Sequence, residues 1–169
     1  MIYTERLVIR PLKRDDYKDL NEMWADFAAS PYAAYDRTRP APAAAAEKIA
    51  AAMAESGDFF AVCLEQAGRP VIGSLERHGK GEQAEIGYIF KRSAQGKGYA
   101  FEAVDALLDY LKAEGFAECI AGTALANKPS VALLEKLGFR LRRKEELAFH
   151  KDEQGQPLTF IGGYFCKRL

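Results

Sequence analysis

The chain has 169 residues, 49% hydrophobic and 28% charged, with 24 Lys plus Arg set against 24 Asp plus Glu. That length suits a single domain over residues 1–169 with a full core, and the balanced charge gives no global field that would draw nucleic acid or anionic lipid. With no N-terminal apolar signal segment and no run near the ~20 apolar residues of a membrane span, a cytoplasmic location is expected, with neither nucleic acid nor membrane as partner.

Residues 4–12 open the chain as a strand, and residues 15–28 read as a helix capped by Asp15 or Asp16, with Leu20, Trp24 and Phe27 on one side. Residues 31–42 are irregular, and the alanine-rich residues 43–55 are helical by propensity. Three strands follow at 59–65, 71–77 and 84–90, joined by hairpin turns at 66–69 and 78–81. Ala100, Val104, Leu107, Leu108 and Leu111 then recur at helical spacing. A strand at 119–123 comes next, then a helix opened by Pro129 and closed by Gly138, then two strands around residues 152–155. The plan is one α/β (α+β) domain, with a mixed, mostly antiparallel central sheet of about seven strands flanked by about four helices.

Gln95-Gly96-Lys97-Gly98-Tyr99-Ala100 lies between a strand and the first turn of a helix. Backbone N–H groups at a helix start have no partner inside the helix, and the helix dipole makes that end positive. Without Cβ atoms at Gly96 and Gly98, a phosphate can approach them closely; taken alone, such a Gly-x-Gly is also a common tight turn. No Gly-Lys-Ser/Thr makes it a nucleotide P-loop. Phe101 stands where a dinucleotide fingerprint has its third glycine.

Downstream, Asn127-Lys128-Pro129-Ser130 precedes Leu133-Leu134-Glu135-Lys136-Leu137-Gly138-Phe139. The two motifs, with a strand between them, resemble the GNAT acetyltransferase family. That family's Gln/Arg-x-x-Gly-x-Gly/Ala pattern wraps the pyrophosphate of acetyl-CoA and reads here as Gln95, Gly98 and Ala100. Its Asn-x-x-Ser and Glu-Lys-Leu-Gly-Phe appear as Asn127, Ser130 and residues 135–139. The opening Thr4-Glu5-Arg6-Leu7-Val8-Ile9-Arg10-Pro11-Leu12 and Glu85-Ile86-Gly87-Tyr88 resemble the RimJ/RimL-type branch, whose members acetylate N-terminal amines of ribosomal proteins and whose relatives use amino acids or other small amines.

The resemblance implies a splayed pair of parallel strands with acetyl-CoA in the gap as cosubstrate and no metal. The backbone at Tyr88, Ile89 and Phe90 would pair with pantetheine, and one N–H would face the acetyl oxygen, a donor worth roughly 2.7–4 kcal/mol. Gln95, Gly96, Lys97, Gly98, Tyr99 and Ala100 would hold the pyrophosphate, and Asn127 the pantetheine arm or the start of the Ser130 helix. Ser130 would protonate the departing thiolate, or else contact CoA or cap its helix; the Tyr88 and Tyr99 phenols are chemically suited to the same task, but both are expected to pack. Glu85, a carboxylate in an apolar strand, is the candidate base through water; the alternative is a solvent-facing or paired carboxylate. An α-amine costs only about 1 kcal/mol to deprotonate at pH 7 and a lysine about 4.6 kcal/mol, so a modest base favours α-amines.

Trp24, Tyr32, Tyr35 and Asp36 are the acceptor-site candidates, aromatics and a carboxylate suiting a cationic amine; core and loop roles would serve them equally. Lys91, Arg92, Lys97 and Lys128 lie near enough to the loop to reach phosphate. Arg140 and Arg142 should share one face of a strand, with Arg143 opposite. Cys63, Cys119 and Cys166 read as buried inert thiols, and His78 and His150 lie in or near turns. The leading expectation is an N-acetyltransferase acting on the α-amine of a protein N-terminus, peptide or amino acid. Acetylation of an antibiotic- or polyamine-type small amine and a non-catalytic CoA-binding regulatory module are the alternatives. Family analogy also allows a homodimer through the sheet edge.

Overall fold

A computed structural model describes Met1–Leu169, the Lys80 side chain excepted. Eight strands form one sheet: β1 (Ile2–Tyr3), β2 (Leu7–Pro11), β3 (Phe59–Leu64), β4 (Val71–Lys80), β5 (Gln83–Phe90), β6 (Glu118–Ala124), β7 (Arg140–Lys151) and β8 (Pro157–Arg168). Four helices accompany it: α1 (Tyr17–Ala28), α2 (Ala43–Ser56), α3 (Tyr99–Ala113) and α4 (Lys128–Lys136). The sheet order is β1-β2-β3-β4-β5-β6-β8-β7, every pair antiparallel except β5 with β6. The expected mixed, mostly antiparallel sheet is therefore present, with the two-residue β1 as a further edge strand. Among the described residues no helix is long and apolar enough to cross a membrane.

The sheet carries an apolar cluster on each face, as strand alternation requires. On one, Ala103, Val104, Leu107, Leu108 and Leu111 of α3 and Leu134 of α4 pack on Leu75, Ile86, Phe90 and Ala121. On the other, Leu20 and Met23 of α1 and Ala50 of α2 cover Ala61, Cys63 and Val71, with Trp24 and Ile89 at its margin. Asp16 occupies the cap position of α1 without making a side-chain cap bond. It instead receives both Arg10 guanidinium nitrogens at 2.7 Å and the Lys13 N–H at 2.8 Å, fixing the helix to β2.

One turn differs from the sequence reading. His78 and Gly79 remain in β4, and the hairpin closes at Gly81 and Glu82 because Lys80 pairs with Gln83. Gly79 serves packing rather than turning: a Cβ there would stand 2.8 Å from the Phe116 ring. The basic run also differs. The β7 register shifts between Leu141 and Arg143, so Arg143 pairs with Tyr164 and lies 4.2 Å over its ring, on the face where Arg142 reaches Glu118 at 3.5 Å. The bulge re-aims Arg143 onto the face it was expected to oppose.

Candidate active site

β5 and β6 pair only from Gln83 with Glu118 to Ile86 with Ala121, although β5 continues to Phe90 and β6 to Ala124. Beyond Ile86 the strands part, so the sheet contains a fork. The Lys91 N–H bonds the Ile72 carbonyl of β4 at 2.9 Å. By alternation Ile89 also turns its backbone to β4, while the N–H and C=O groups of Tyr88 and Phe90 face the fork. Of the three residues expected to offer backbone there, Tyr88 and Phe90 do so. Ile89 gives its backbone to β4 and its side chain to the α1 face.

The start of α3 is built on glycines. Gly98 stands at the cap position of α3 with φ +82°, and Gly96 has φ +73°. Both angles lie in the left-handed region open to glycine, which explains the Gly-x-Gly spacing. The N–H groups of Tyr99, Ala100 and Phe101 occupy the first turn, where helix geometry supplies no acceptor. Gln95 folds back, its Nε2 donating to the Phe90 carbonyl at 3.2 Å, and so ties the loop to the fork. Lys97 is exposed beside it. Lys91, expected near phosphate, is instead held by Asp19 at 2.7 Å and Glu22 at 2.6 Å on α1. Burial opposes its charge, yet those two carboxylates leave its pKa raised.

Across the fork, the Tyr88 hydroxyl and Ser130 Oγ are 2.8 Å apart. Burial pushes the Tyr88 phenol above its ordinary range, and the Ser130 hydrogen bond opposes that only partly. Asn127 caps α4 by accepting the Ser130 N–H at 3.3 Å, which fixes where Ser130 enters the helix. The hydroxyl pair joins β5 to α4 at the level where the strands have separated.

On the opposite face, Glu85 is exposed and lies one residue before the fork, opposite Ile120. A second carboxylate, missed by sequence reasoning, reaches the fork itself. Glu76 of β4 pairs with Gly87, and its carboxylate occupies the place a Cβ on Gly87 would take. Surrounding protein raises the Glu76 pKa, with Asp36 and Glu85 adding to it, and His78 opposes the shift. His78 bridges Glu76 at 3.8 Å and Asp58 at 3.6 Å and stands edge-on to Phe59. The Glu76 side chain nonetheless remains 43% exposed, so solvent or a small molecule can reach it. The glycine opposite Glu76 is the signal that could have found it, but only with the strand register in hand.

The acceptor-site candidates divide. Trp24 packs at the α1 core. Tyr32 and Tyr35 lie 6.4 Å apart, and Tyr35 reaches Phe160 of β8 at 5.1 Å. The Asp36 carboxylate accepts from both Thr38 N and Oγ1 at 2.7 Å through a single oxygen, and it stands near enough to Glu76 to help raise that carboxyl's pKa. The Asp36 carbonyl accepts from His150 Nε2 at 2.6 Å, which docks the 31–42 segment onto β7. Between that segment, the β6–α4 connection and the last hairpin runs a cleft of about 850 Å³ lined by Tyr35, Leu125, Lys128, Lys144 and Phe160. Cys63 and Cys119 are buried, the latter thiol pushed up to about 12 by burial, while Cys166 is partly exposed.

A forked parallel strand pair, with a glycine-built helix start at one end and a hydroxyl pair across it, is the splayed-strand architecture that the family resemblance implies. Residues 6–140 match the family described as acetyltransferase (GNAT) domain, and the chain belongs to that family. It is similar to the uncharacterized N-acetyltransferase p20 of Bacillus licheniformis, 28% identical with 82% of each chain covered. Among solved structures, a GNAT-family acetyltransferase from Bacillus anthracis superposes with a TM-score of 0.81 at 25% identity, covering 99% of this chain and 97% of that one. RimL, a ribosomal L7/L12 α-N-protein acetyltransferase in complex with coenzyme A, superposes with a TM-score of 0.77 at 15% identity, covering 98% and 96%.

Proposed function

We propose that the protein transfers an acetyl group from acetyl-CoA directly to a primary amine, the α-amine of a protein N-terminus, peptide or amino acid, as a RimJ/RimL-type member of its family. The observation that carries this reading is the Tyr88–Ser130 hydroxyl pair spanning the mouth of the fork, in line with the Gly96–Gly98 helix start. The coenzyme A held by the RimL relative supports the choice of cosubstrate.

In this reading the residues 95–100 loop holds the pyrophosphate, and the fork-facing backbone of Tyr88 and Phe90 pairs with the pantetheine arm. A Tyr88 or Phe90 N–H then donates to the acetyl oxygen as negative charge develops. Glu85 and Glu76 lie on the face from which the amine arrives. Both attract its ammonium form, and the proton it loses passes through water to Glu85, the base expected from the sequence, or to Glu76 beside it. Ser130, polarised by Tyr88, returns a proton to the thiolate that leaves.

Thiol release from acetyl-CoA, measured against N-terminal peptides, free amino acids and polyamines, tests the reading. Turnover with peptides or amino acids is expected. Turnover confined to polyamines would move the acceptor class to small amines, and CoA binding without turnover of any amine would indicate a binding module.

A further inference from the structure

Arg6 precedes β2, far in sequence from the loop at residues 95–100, yet its side chain closes on that loop. Its Nε donates to Glu102 Oε2 at 2.7 Å, its Nη2 meets the same oxygen at 2.7 Å, and its Nη1 donates to the Lys97 carbonyl at 3.0 Å. The Arg6 backbone N–H and the Thr4 hydroxyl both bond Glu102 Oε1, at 2.9 and 2.6 Å. The guanidinium lies 4.7 Å over the Tyr99 ring, and Nη2 is 3.4 Å from where a Cβ on Gly98 would stand.

Two physical problems of an anion loop are met by these contacts. The first is conformational. Gly96 and Gly98 both have positive φ, and glycine permits many other peptide orientations. Across a trans peptide, the C=O and the following N–H point in opposite directions. The grip of Arg6 on the Lys97 carbonyl therefore turns the Gly98 N–H away from the Glu102 carboxylate and holds it there. The second is electrostatic. Glu102 sits in the first turn of α3, where an unneutralised carboxylate would repel an incoming phosphate. Burial alone would raise the Glu102 pKa, but Thr4 and Arg6 outweigh it and keep the carboxylate charged, so the compensating charge must come from Arg6.

We infer that Arg6 is a positioning residue for the pyrophosphate-binding loop, fixing the Lys97–Gly98 peptide and neutralising Glu102. The inference rests on the acetyl-CoA reading above. It makes the segment before β2 part of the cosubstrate site, acting through the loop without itself touching the reacting atoms.

Calorimetric CoA binding to wild type, Arg6→Gln, Arg6→Lys and the double variant Arg6→Gln with Glu102→Gln tests it, alongside NMR titration with pantetheine, which lacks the pyrophosphate. Arg6→Gln should weaken CoA about tenfold or more, from losing charge-assisted bonds and exposing a bare carboxylate. Pantetheine binding should be unchanged. Arg6→Lys should lose less, because the ammonium keeps the charge without the fork geometry. The double variant should regain part of the loss, since the repelling charge is gone. Wild-type affinity in Arg6→Gln, an equal loss of CoA and pantetheine, or no recovery in the double variant would each overturn the inference. Wild-type protein that binds no CoA would overturn the acetyl-CoA reading beneath it.

Discussion

The carboxylate of Glu76 rests on the bare backbone of Gly87, where any Cβ would displace it. Gly87 is also the first β5 residue beyond the last β5–β6 pair, Ile86 with Ala121. An acidic side chain is thereby laid across the point where the sheet divides.

Glu76→Gln should lower kcat by about a hundredfold if this carboxylate takes part in proton transfer from the amine. Its pKa is raised by burial, so the wild-type rate should climb with pH through a value above the ordinary carboxylate range, and the variant should lose that limb. A raised carboxylate pKa favours the fold while the group is protonated and withdraws that contribution as pH rises through the folded value. Glu76→Gln should therefore melt higher than wild type at pH 8. A pH–rate profile paired with thermal melts reads both. If Glu85→Gln alone removes the limb, Glu85 is the proton acceptor and Glu76 only attracts the ammonium.

Gly87→Ala tests the same contact from the other strand. Gly87 lies in extended β5, so the methyl adds no left-handed strain and acts by pushing the Glu76 carboxylate aside. Activity should fall as in Glu76→Gln while CoA binding is retained, because the fork-facing Tyr88 and Phe90 backbone is untouched. Loss of CoA affinity in Gly87→Ala would show that the strand itself had moved.

Ser130→Ala and Tyr88→Phe separate the two hydroxyls that meet at 2.8 Å. If Ser130 delivers the proton, its removal should cost about a hundredfold in kcat. Loss of the Tyr88 hydroxyl should then cost roughly tenfold or less, the weight of one hydrogen bond. The reverse ranking, seen in single-turnover rates at saturating acetyl-CoA, would assign the proton to Tyr88.

Asp16→Asn should destabilise the fold by roughly 3–5 kcal/mol, because it breaks an ion pair whose side chains are only 8% and 18% exposed. Burial would raise the Asp16 pKa, but Arg10 and the Lys13 N–H outweigh it and leave it lowered. Its contribution is thus present above the ordinary carboxylate range and fades as pH falls through it. Urea unfolding at pH 7 and pH 3 should show a smaller gap between variant and wild type at the acid end.

Much of the geometry of the candidate site was legible because its signals are local. Gly96 and Gly98 between a strand and a helical period predict a helix start with open N–H groups, and both glycines have the positive φ that such a turn requires. Asn127 ahead of Pro129 predicts a capped helix, and Asn127 caps it. Gly79 shows where local reading misleads: a glycine after a histidine resembles a turn, but it lies in β4 to admit the Phe116 ring.

The pattern of single residues therefore determined the alternation of strands and helices, the loop between β5 and α3, and the cap of α4. Each depends on backbone angles and periodicity within a few residues of chain. Only the tertiary structure decided that Glu76 lies on Gly87, that Lys91 is bound to α1 rather than free for phosphate, and that Arg6 closes on Glu102 and Lys97. Those contacts depend on strand register and on segments far apart in the chain meeting within hydrogen-bond distance, and no local periodicity encodes which charged side chain a distant strand will bring alongside.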